Sequence, residues 1–475
     1  MEDYKIQKTE LPRCRFCGSP LHHTFVDLGM QPLCESYLQP DKLNQMECFY
    51  PLHAYVCGNC FLVQLEEYVV PESIFSEYAY FSSYSETWLK HAKDYVKMII
   101  DRLKLNEDSQ VVEIGSNDGY LLKYFAQRGI PVIGVEPAAN VAKVAIGKGI
   151  PTIVKYFGLK VANELVSKNE CADLLIGNNV LAQVPNLNPF LKSMKILIKP
   201  SGVITMEFPH LIQLIDRNEF DTIYHEHFSY FSFFTVEKLF TAHGLTIFDV
   251  DELPTHGGSL RIYARNTEDK SKPVTPKVNK LRDREQSKGV TNLKNYSFSE
   301  KVHKTKRDLL AFLSNLKGRN RTIVGYGAPG KGNTLLNFCG IRTDFLDYTV
   351  DRNPYKQGKF LPGTHIPIFH PNKIKETTPD YVLILSWNVK EEIMNQMSYI
   401  SEWDGKFIVP IPEVKVYTAE GTELHNDTKL EDKLIAHEYD AFWDSYDIRS
   451  DRQKVEQIVS KRSGLKNGIA KKTKA

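Results

Sequence analysis

The stretch 110–137, QVVEIGSNDGYLLKYFAQRGIPVIGVEP, decides the fold. An apolar run, VVEI, breaks at Gly115 and Gly119, and YLLKYFAQ follows with helix-forming residues. A second apolar run then ends at Glu136. Strand, glycine turn, helix, strand is the rhythm of a parallel α/β sheet. Glycine at 115 and 119 permits a sharp turn and a close approach of backbone to a ligand, and an acid at the end of the next strand is placed to accept ribose hydroxyls.

Two adenosine-binding folds fit this outline and differ in their loops. A dinucleotide site wants G-x-G-x-x-G, with helix amides facing a pyrophosphate. This chain has Glu113-x-Gly115-x-x-x-Gly119, so acids flank the ligand. That pattern suits a cation without phosphate and predicts S-adenosylmethionine. Asn117 lies in the turn, and the third run, CADLLIGNNVLAQVPN (171–186), with Asn178 and Asn179, resembles the strand and loop by which methyltransferases contact adenine and the sulfonium side. The alternative is a decorative glycine-rich turn in some other α/β enzyme.

Outward from this core, the rhythm continues through GVITMEFPH (202–210) and ends near LRIYARN (260–266). Before it, SETWLKHAKDYVKMIIDRLKL (85–105) repeats apolar residues at helical spacing: Trp88, Leu89, Ala92, Tyr95, Val96, Ile99 and Leu103. After it, residues 267–300 are polar and charged and read as a linker leading into a helix. A second α/β unit starts at RTIVGYGAPGKGNTLLN (321–337). The expected domains are 1–70, 71–266, 267–425 and a basic helical or disordered extension, 426–475, whose last 16 residues hold six Lys or Arg and no acid.

Six of the eight cysteines fall between Cys14 and Cys60, and four form two CxxC pairs, Cys14/Cys17 and Cys57/Cys60. Two intervening residues let the chain turn around one ion, and four thiolates close a tetrahedral zinc site with no open position. The first 70 residues bury too little core to fold without such a staple. Cys34 and Cys48 stand alone and read as buried thiols. His22, His23 and His53 are substitute ligands that the site does not need.

Lys plus Arg (60) nearly balance Asp plus Glu (58), so no field exists to gather nucleic acid or an anionic membrane. No apolar run approaches the roughly 18 residues that span a bilayer, and MEDYKIQKTELPRCRF has no signal-peptide pattern. A cytoplasmic small-molecule enzyme is expected, without nucleic-acid or membrane partners.

GYGAPGKG (325–332) satisfies two templates. Gly325, Gly330 and Lys331 fit the start of a P-loop, which fails because Gly332 stands where Ser or Thr should bind magnesium. Gly325, Gly327 and Gly330 fit G-x-G-x-x-G, with Asp351 as the acid, which keeps an NAD-binding reading open. Lys331 and the loop amides are candidate diphosphate contacts.

Taken together, the CxxC pairs, YAYFSSYSETWLKHA (78–92), EIGSNDGYLL (113–122), YHEHFSYFS (224–232), THGGSLRIY (255–263) and GYGAPGKGNTLLN (325–337) resemble the sugar C-3′-methyltransferases of deoxysugar biosynthesis. The resemblance implies a zinc module, a Rossmann-like class I methyltransferase domain and a second Rossmann-like α/β domain that helps hold the substrate. That substrate would be a dTDP- or GDP-linked 4-keto-6-deoxysugar. The chemistry follows from the acceptor: carbon attacks a sulfonium methyl only as an enolate, so one group must take the α proton and others stabilise the oxygen.

Aligned on the family's Tyr-x-Glu-His pattern, His227 is the base, Glu226 orients it or binds a hydroxyl, and Tyr224 donates to the enolate. Tyr78 (with Tyr80 near it), His225, His256, Arg261 and Lys331 are the further substrate-side candidates. In a strand, alternate residues share a face, so Tyr224 and His227 meet only if the chain bends. The cluster's bland reading is packing under the sheet among Phe228, Tyr230, Phe231, Phe233 and Phe234. One departure from the family is Gln183, where relatives carry histidine; it can donate a hydrogen bond but cannot carry a proton. The same cofactor site would also serve O- or N-methylation.

Overall fold

The computed structural model describes residues 11–70, 74 and 81–424. The described residues up to 421 belong to one compact unit. Tyr78, Tyr80 and the extension 426–475 lie outside the described residues.

The central sheet has seven strands, in the order Leu245–Leu253, Ser259–Asn266, Ile198–Pro209, Ala172–Asn178, Val111–Ile114, Val132–Val135, Thr152–Ile153. The last five run parallel, and Ser259–Asn266 runs against Ile198–Pro209. Alternation divides the two faces. Val112, Ile114, Ile133, Val135 and Leu175 enter one apolar cluster, whereas Val111, Val132, Leu174 and Ile176 enter the other.

The helix Glu86–Leu103 covers the second face. Ser85 caps it by accepting from the Trp88 amide at 3.2 Å, and Lys104 ends it in the left-handed region. Its buried residues, Ala92, Tyr95, Val96 and Ile99, recur at the expected spacing. Each large one contributes about 1.5–3 kcal/mol over exposure.

The first face carries the cysteine module, whose Cys14, Leu21, Cys57, Cys60 and Leu62 belong to the same cluster as the sheet's own core. The module's sheet runs His23–Gln31, Tyr50–Val56, Val63–Leu65 and then Ser229–Tyr230. Its fourth strand therefore comes from the YHEHFSYFS segment, with Val63 opposite Tyr230.

Residues 267–300 differ from the expected linker. Pro276–Ser287 is a helix that buries Val278 and Leu281 in the central core. Glu285 at 1% exposure accepts from the Phe233 and Phe234 amides and pairs with His210 at 2.6 Å. The segment reads as polar because its other side is charged: Arg282 pairs with Glu237, Arg284 with Glu252 and Lys277 with Asp251.

In the second α/β layer the strands stand in the order Ile368–Phe369, Thr349–Val350, Ile323–Tyr326, Tyr381–Ile384, Lys406–Val409, with Lys415–Tyr417 antiparallel at the side. The helix Gly330–Cys339 follows its glycine turn. Among the described residues no helix is long and apolar enough to cross a membrane. Cys34 is buried as expected, whereas Cys48 is exposed, a correction to its reading as a core thiol.

Candidate functional site

A cavity of about 660 Å³ opens at the carboxyl ends of the parallel strands, where open α/β sheets take their ligands. Gly115, Asn117, Glu136, Asn178 and Asn179 line one side, Tyr224, Glu226, His227 and His256 another, and Gly330, Lys331 and Lys356 close it from the second α/β layer.

On the cofactor side the turn is tightly specified. Gly115 has φ +66°, and a Cβ there would stand 2.6 Å from Val180 Cγ2; Gly119 has φ +75° against Ile150. Glu136 accepts from the Asn117 and Ala138 amides, each at 2.9 Å, and still faces the cavity with lone pairs to spare. Burial pushes its carboxyl up against those two amides.

Glu113 lies beneath, fully buried, with neither carboxylate oxygen hydrogen-bonded. Burial, then the charges of Glu136 and Asp118, raise it well above the carboxylate range. Neither Glu113 nor Gly119 lines the cavity, so they shape the turn from beneath, and burial holds Glu113 as a neutral acid. Asn178 and Asn179 add unpartnered side-chain oxygens. Asn117, Asn179 and His256 all have φ between +50° and +57°, so three non-glycine left-handed residues gather at one cavity. Gly115→Ala is expected to cost roughly 1–3 kcal/mol of stability and to weaken cofactor binding. Unchanged melting and calorimetric affinity would show that Val180 yields to the new methyl.

The four module thiols lie within 4.8 Å of one another, with Cys14–Cys60 and Cys17–Cys57 Sγ pairs both at 3.5 Å. Zinc–sulfur bonds of about 2.3 Å set tetrahedral edges of about 3.8 Å, so the set fits zinc. The Gln64 amide and the Asn59 backbone N–H donate to Cys14 and Cys57, as thiolates require. His22, His23 and His53 do not join this group; His53 instead bonds Thr24 and stacks on Tyr55.

The bend that YHEHF needs is a turn, in which the His227 amide donates to the Tyr224 carbonyl at 2.9 Å. It brings the two rings to 4.2 Å. His227 Nδ1 lies 3.2 Å from the Thr222 carbonyl, which fixes the proton on Nδ1 and leaves Nε2 as the lone-pair nitrogen. Burial, with His256 and Lys331 adding to it, pushes this imidazole down to about 3 against the pull of Thr222. Tyr224 is raised well above 10, first by burial and then by Glu226, so it stays a donor. Glu226 accepts from the Cys34 thiol at 3.6 Å.

The other candidates divide. Gln183 lines the cavity from a turn of 3-10 helix, and His256 bonds Asn179 at 3.2 Å, its pKa lowered to about 4 mainly by burial. Lys331 reaches Asn388 Oδ1 at 2.8 Å and sits 5.0 Å from the Trp387 ring centre.

His225 and Arg261 are not among the lining residues. His225 turns to the Pro51 carbonyl and the Tyr50 ring. Arg261 faces the Glu86–Leu103 helix, over the Tyr95 ring, and pairs with Glu207 at 2.8 Å, because the 259–266 strand sends alternate residues to that side. Asp351 accepts from the Ala328 and Asn353 amides and does not line the cavity, so it holds the glycine loop, as Glu136 holds its own.

Lys356, Glu35 and Trp88 line the cavity without having been singled out. Lys356 is buried between the Ala328 carbonyl and Glu35, and only distant chain segments meeting in space could reveal it. Glu219 and Asp221 form a second hidden group, raised to about 7 and about 6, chiefly by burial, beside Lys331.

Comparison with known proteins matches three consecutive family models: a zinc binding domain over residues 14–75, a methyltransferase domain over 88–250 and a C-methyltransferase C-terminal domain over 254–412. The chain is 35% identical to the C-methyltransferase NovU of Streptomyces niveus over 413 residues, 87% of this chain and 98% of the relative. Solved structures similar over part of the chain include the magnesium protoporphyrin IX methyltransferase ChlM of Synechocystis PCC 6803 (14% identity, 38% of this chain and 82% of that one, TM-score 0.28). The PH0226 protein of Pyrococcus horikoshii OT3 also matches (17% identity, 42% and 99%, TM-score 0.33). The chain belongs to the family of S-adenosylmethionine-dependent C-methyltransferases with an amino-terminal zinc-binding domain.

Proposed function

We propose that the acceptor is C-3 of a nucleotide-linked 4-keto-6-deoxysugar, methylated through an enolate that His227 generates. The observation that carries this reading is the turn that sets the Tyr224 ring 4.2 Å from His227 and leaves Nε2 unprotonated in a cavity shared with Glu136 and Asn178. When bound, S-adenosylmethionine supplies an electrophilic methyl. His227 Nε2 takes the α proton; the Tyr224 hydroxyl donates to the oxygen where charge develops; Glu226 and Gln183 bind hydroxyls of the sugar. Tyr78 is a further candidate from outside the described residues, His256 a donor toward the sugar.

Lys331 stands in the first turn of the helix Gly330–Cys339, where free amides and a positive helix end add to its charge. The diphosphate of a dTDP- or GDP-linked sugar is the anion that suits it. Burial lowers Lys331, while Asp221 and Glu219 sustain its charge.

Incubation with methyl-labelled S-adenosylmethionine and a panel of dTDP-, GDP- and CDP-keto-sugars tests the reading. The expected product carries the label on carbon, and NMR placing it on oxygen or nitrogen would overturn the enolate.

The pH profile gives a second test. His227 is lowered, so its proton-accepting form persists far below the usual histidine range. The kcat/KM profile of the free enzyme should show no acid limb near pH 6.5 from this residue. Substrate in the cavity deepens the burial that chiefly lowers this ring, so the acid limb of kcat should sit no higher in pH than that of kcat/KM. Coincident limbs at 6.5 would mean that burial does not govern His227.

A further inference from the structure

We infer that Arg15, between the first two zinc cysteines, is a positioning residue that couples the zinc site to the loop lining the cofactor cavity. The inference rests on the cavity being the cofactor's and is independent of which sugar is methylated.

The Arg15 guanidinium donates to the Pro185 carbonyl at 2.8 Å and to the Leu65 carbonyl, and lies 5.4 Å from the Phe228 ring centre. A guanidinium is always a cation, and its hydrogen-bond partners here are backbone carbonyls. Partly buried, with Glu67 and Cys14 as the charges nearest to it, the guanidinium spends its hydrogen bonds on backbone carbonyls of other segments and so holds them in place. Here it ties three segments together: the zinc turn, the cavity loop through Pro185, and the chain just after His227 through Phe228.

A second tie runs beside the first, since Asn188 Nδ2 donates to the Phe16 carbonyl at 2.9 Å, also inside the Cys14–Cys17 turn. The zinc end is itself rigid. The Arg15 amide donates to Gln64 Oε1 at 2.9 Å, and Gln64 Nε2 donates to Cys14 Sγ at 3.2 Å. On the far side, Gln183, Val184, Pro185 and Asn186 line the cavity. The same loop begins at Val180, the side chain that Gly115 must be a glycine to accommodate. A continuous path of contacts therefore runs from a zinc thiolate to the cofactor turn.

If the two sites share this path, coupling must be reciprocal: zinc favours cofactor binding, and cofactor slows zinc loss. The experiment uses the full chain with zinc bound. Zinc release to a chelator is followed with a metal indicator, with and without S-adenosylhomocysteine, and affinity for that product is measured by calorimetry, which needs no sugar acceptor.

In the unaltered protein S-adenosylhomocysteine should slow release. Arg15→Met should keep one zinc per chain, bind S-adenosylhomocysteine about 10-fold more weakly and lose the protection; Arg15→Lys should restore part of both. Asn188→Ala, which cuts only the second tie, should shift both readouts in the same direction, and it serves where Arg15→Met fails to fold. Wild-type affinity together with undiminished protection in the zinc-loaded variants would overturn the coupling. So would zinc release from the unaltered protein that ignores S-adenosylhomocysteine.

Discussion

His227→Asn is expected to lower kcat by about 10²–10⁴-fold and to abolish solvent deuterium exchange at the reacting carbon, while S-adenosylmethionine still binds. Asparagine keeps a hydrogen-bonding group near the Thr222 carbonyl but has no basic nitrogen to face the cavity. Gly115, Glu136 and Asn178, the proposed cofactor contacts, line the cavity from the strand ends and are left untouched, so affinity should survive. Tyr224→Phe makes the contrast, because it removes a donor to the enolate and leaves the base. It should slow exchange less than His227→Asn does. Exchange at the normal rate in His227→Asn would move the base elsewhere in the cavity, with His256 the next imidazole in line.

The reason that one histidine of the pair is assigned and the other is not lies in backbone geometry that the letters YHEHF do not carry. A strand would have put His225 and His227 on one side. The turn closed by the His227 amide instead joins residues three apart, so Tyr224 meets His227 and His225 is sent to Pro51. Arg261 was misleading for a related reason: its strand is recognisable, but which face an alternating residue takes depends on the helix packed there, here through Tyr95 and His91.

By contrast, the cofactor turn was legible because all its determinants are local. Glu113 lies on one strand, Gly115 and Gly119 in the turn that follows it, and Glu136 just past the end of the neighbouring parallel strand, so short-range spacing brings them near one another. The four cysteines were equally plain, since each CxxC is a short-range geometric statement. Lys356, Glu35 and the Glu219–Asp221 group had no such signal, because their partners come from segments far apart in the chain. The helix Pro276–Ser287 was hidden by its composition, since a helix that buries Val278 and Leu281 but carries salt bridges along its outer side has the hydropathy of a linker.

Removing zinc is expected to end catalysis although the metal touches no substrate. Closed by four thiolates, the site has no position for a reacting ligand, so loss of activity must come through the fold. Structural zinc supplies roughly 10–16 kcal/mol in small modules, comparable to the whole stability of a domain, about 5–15 kcal/mol. The module's sheet ends in Ser229–Tyr230, immediately after the His227 turn, and Val63 pairs with Tyr230. Unfolding the module would strip that strand of its ladder partner and release His225 from the Pro51 carbonyl, leaving the turn that sets Tyr224 against His227 without support. Chelation should therefore lower kcat in parallel with near-ultraviolet circular dichroism, and added zinc should restore both. Cys57→Ser should reproduce the loss without a chelator. A zinc-free protein that keeps its kcat would mean that the central sheet alone holds the His227 turn, and that the fourth strand of the module is an ornament of packing rather than a support of the site.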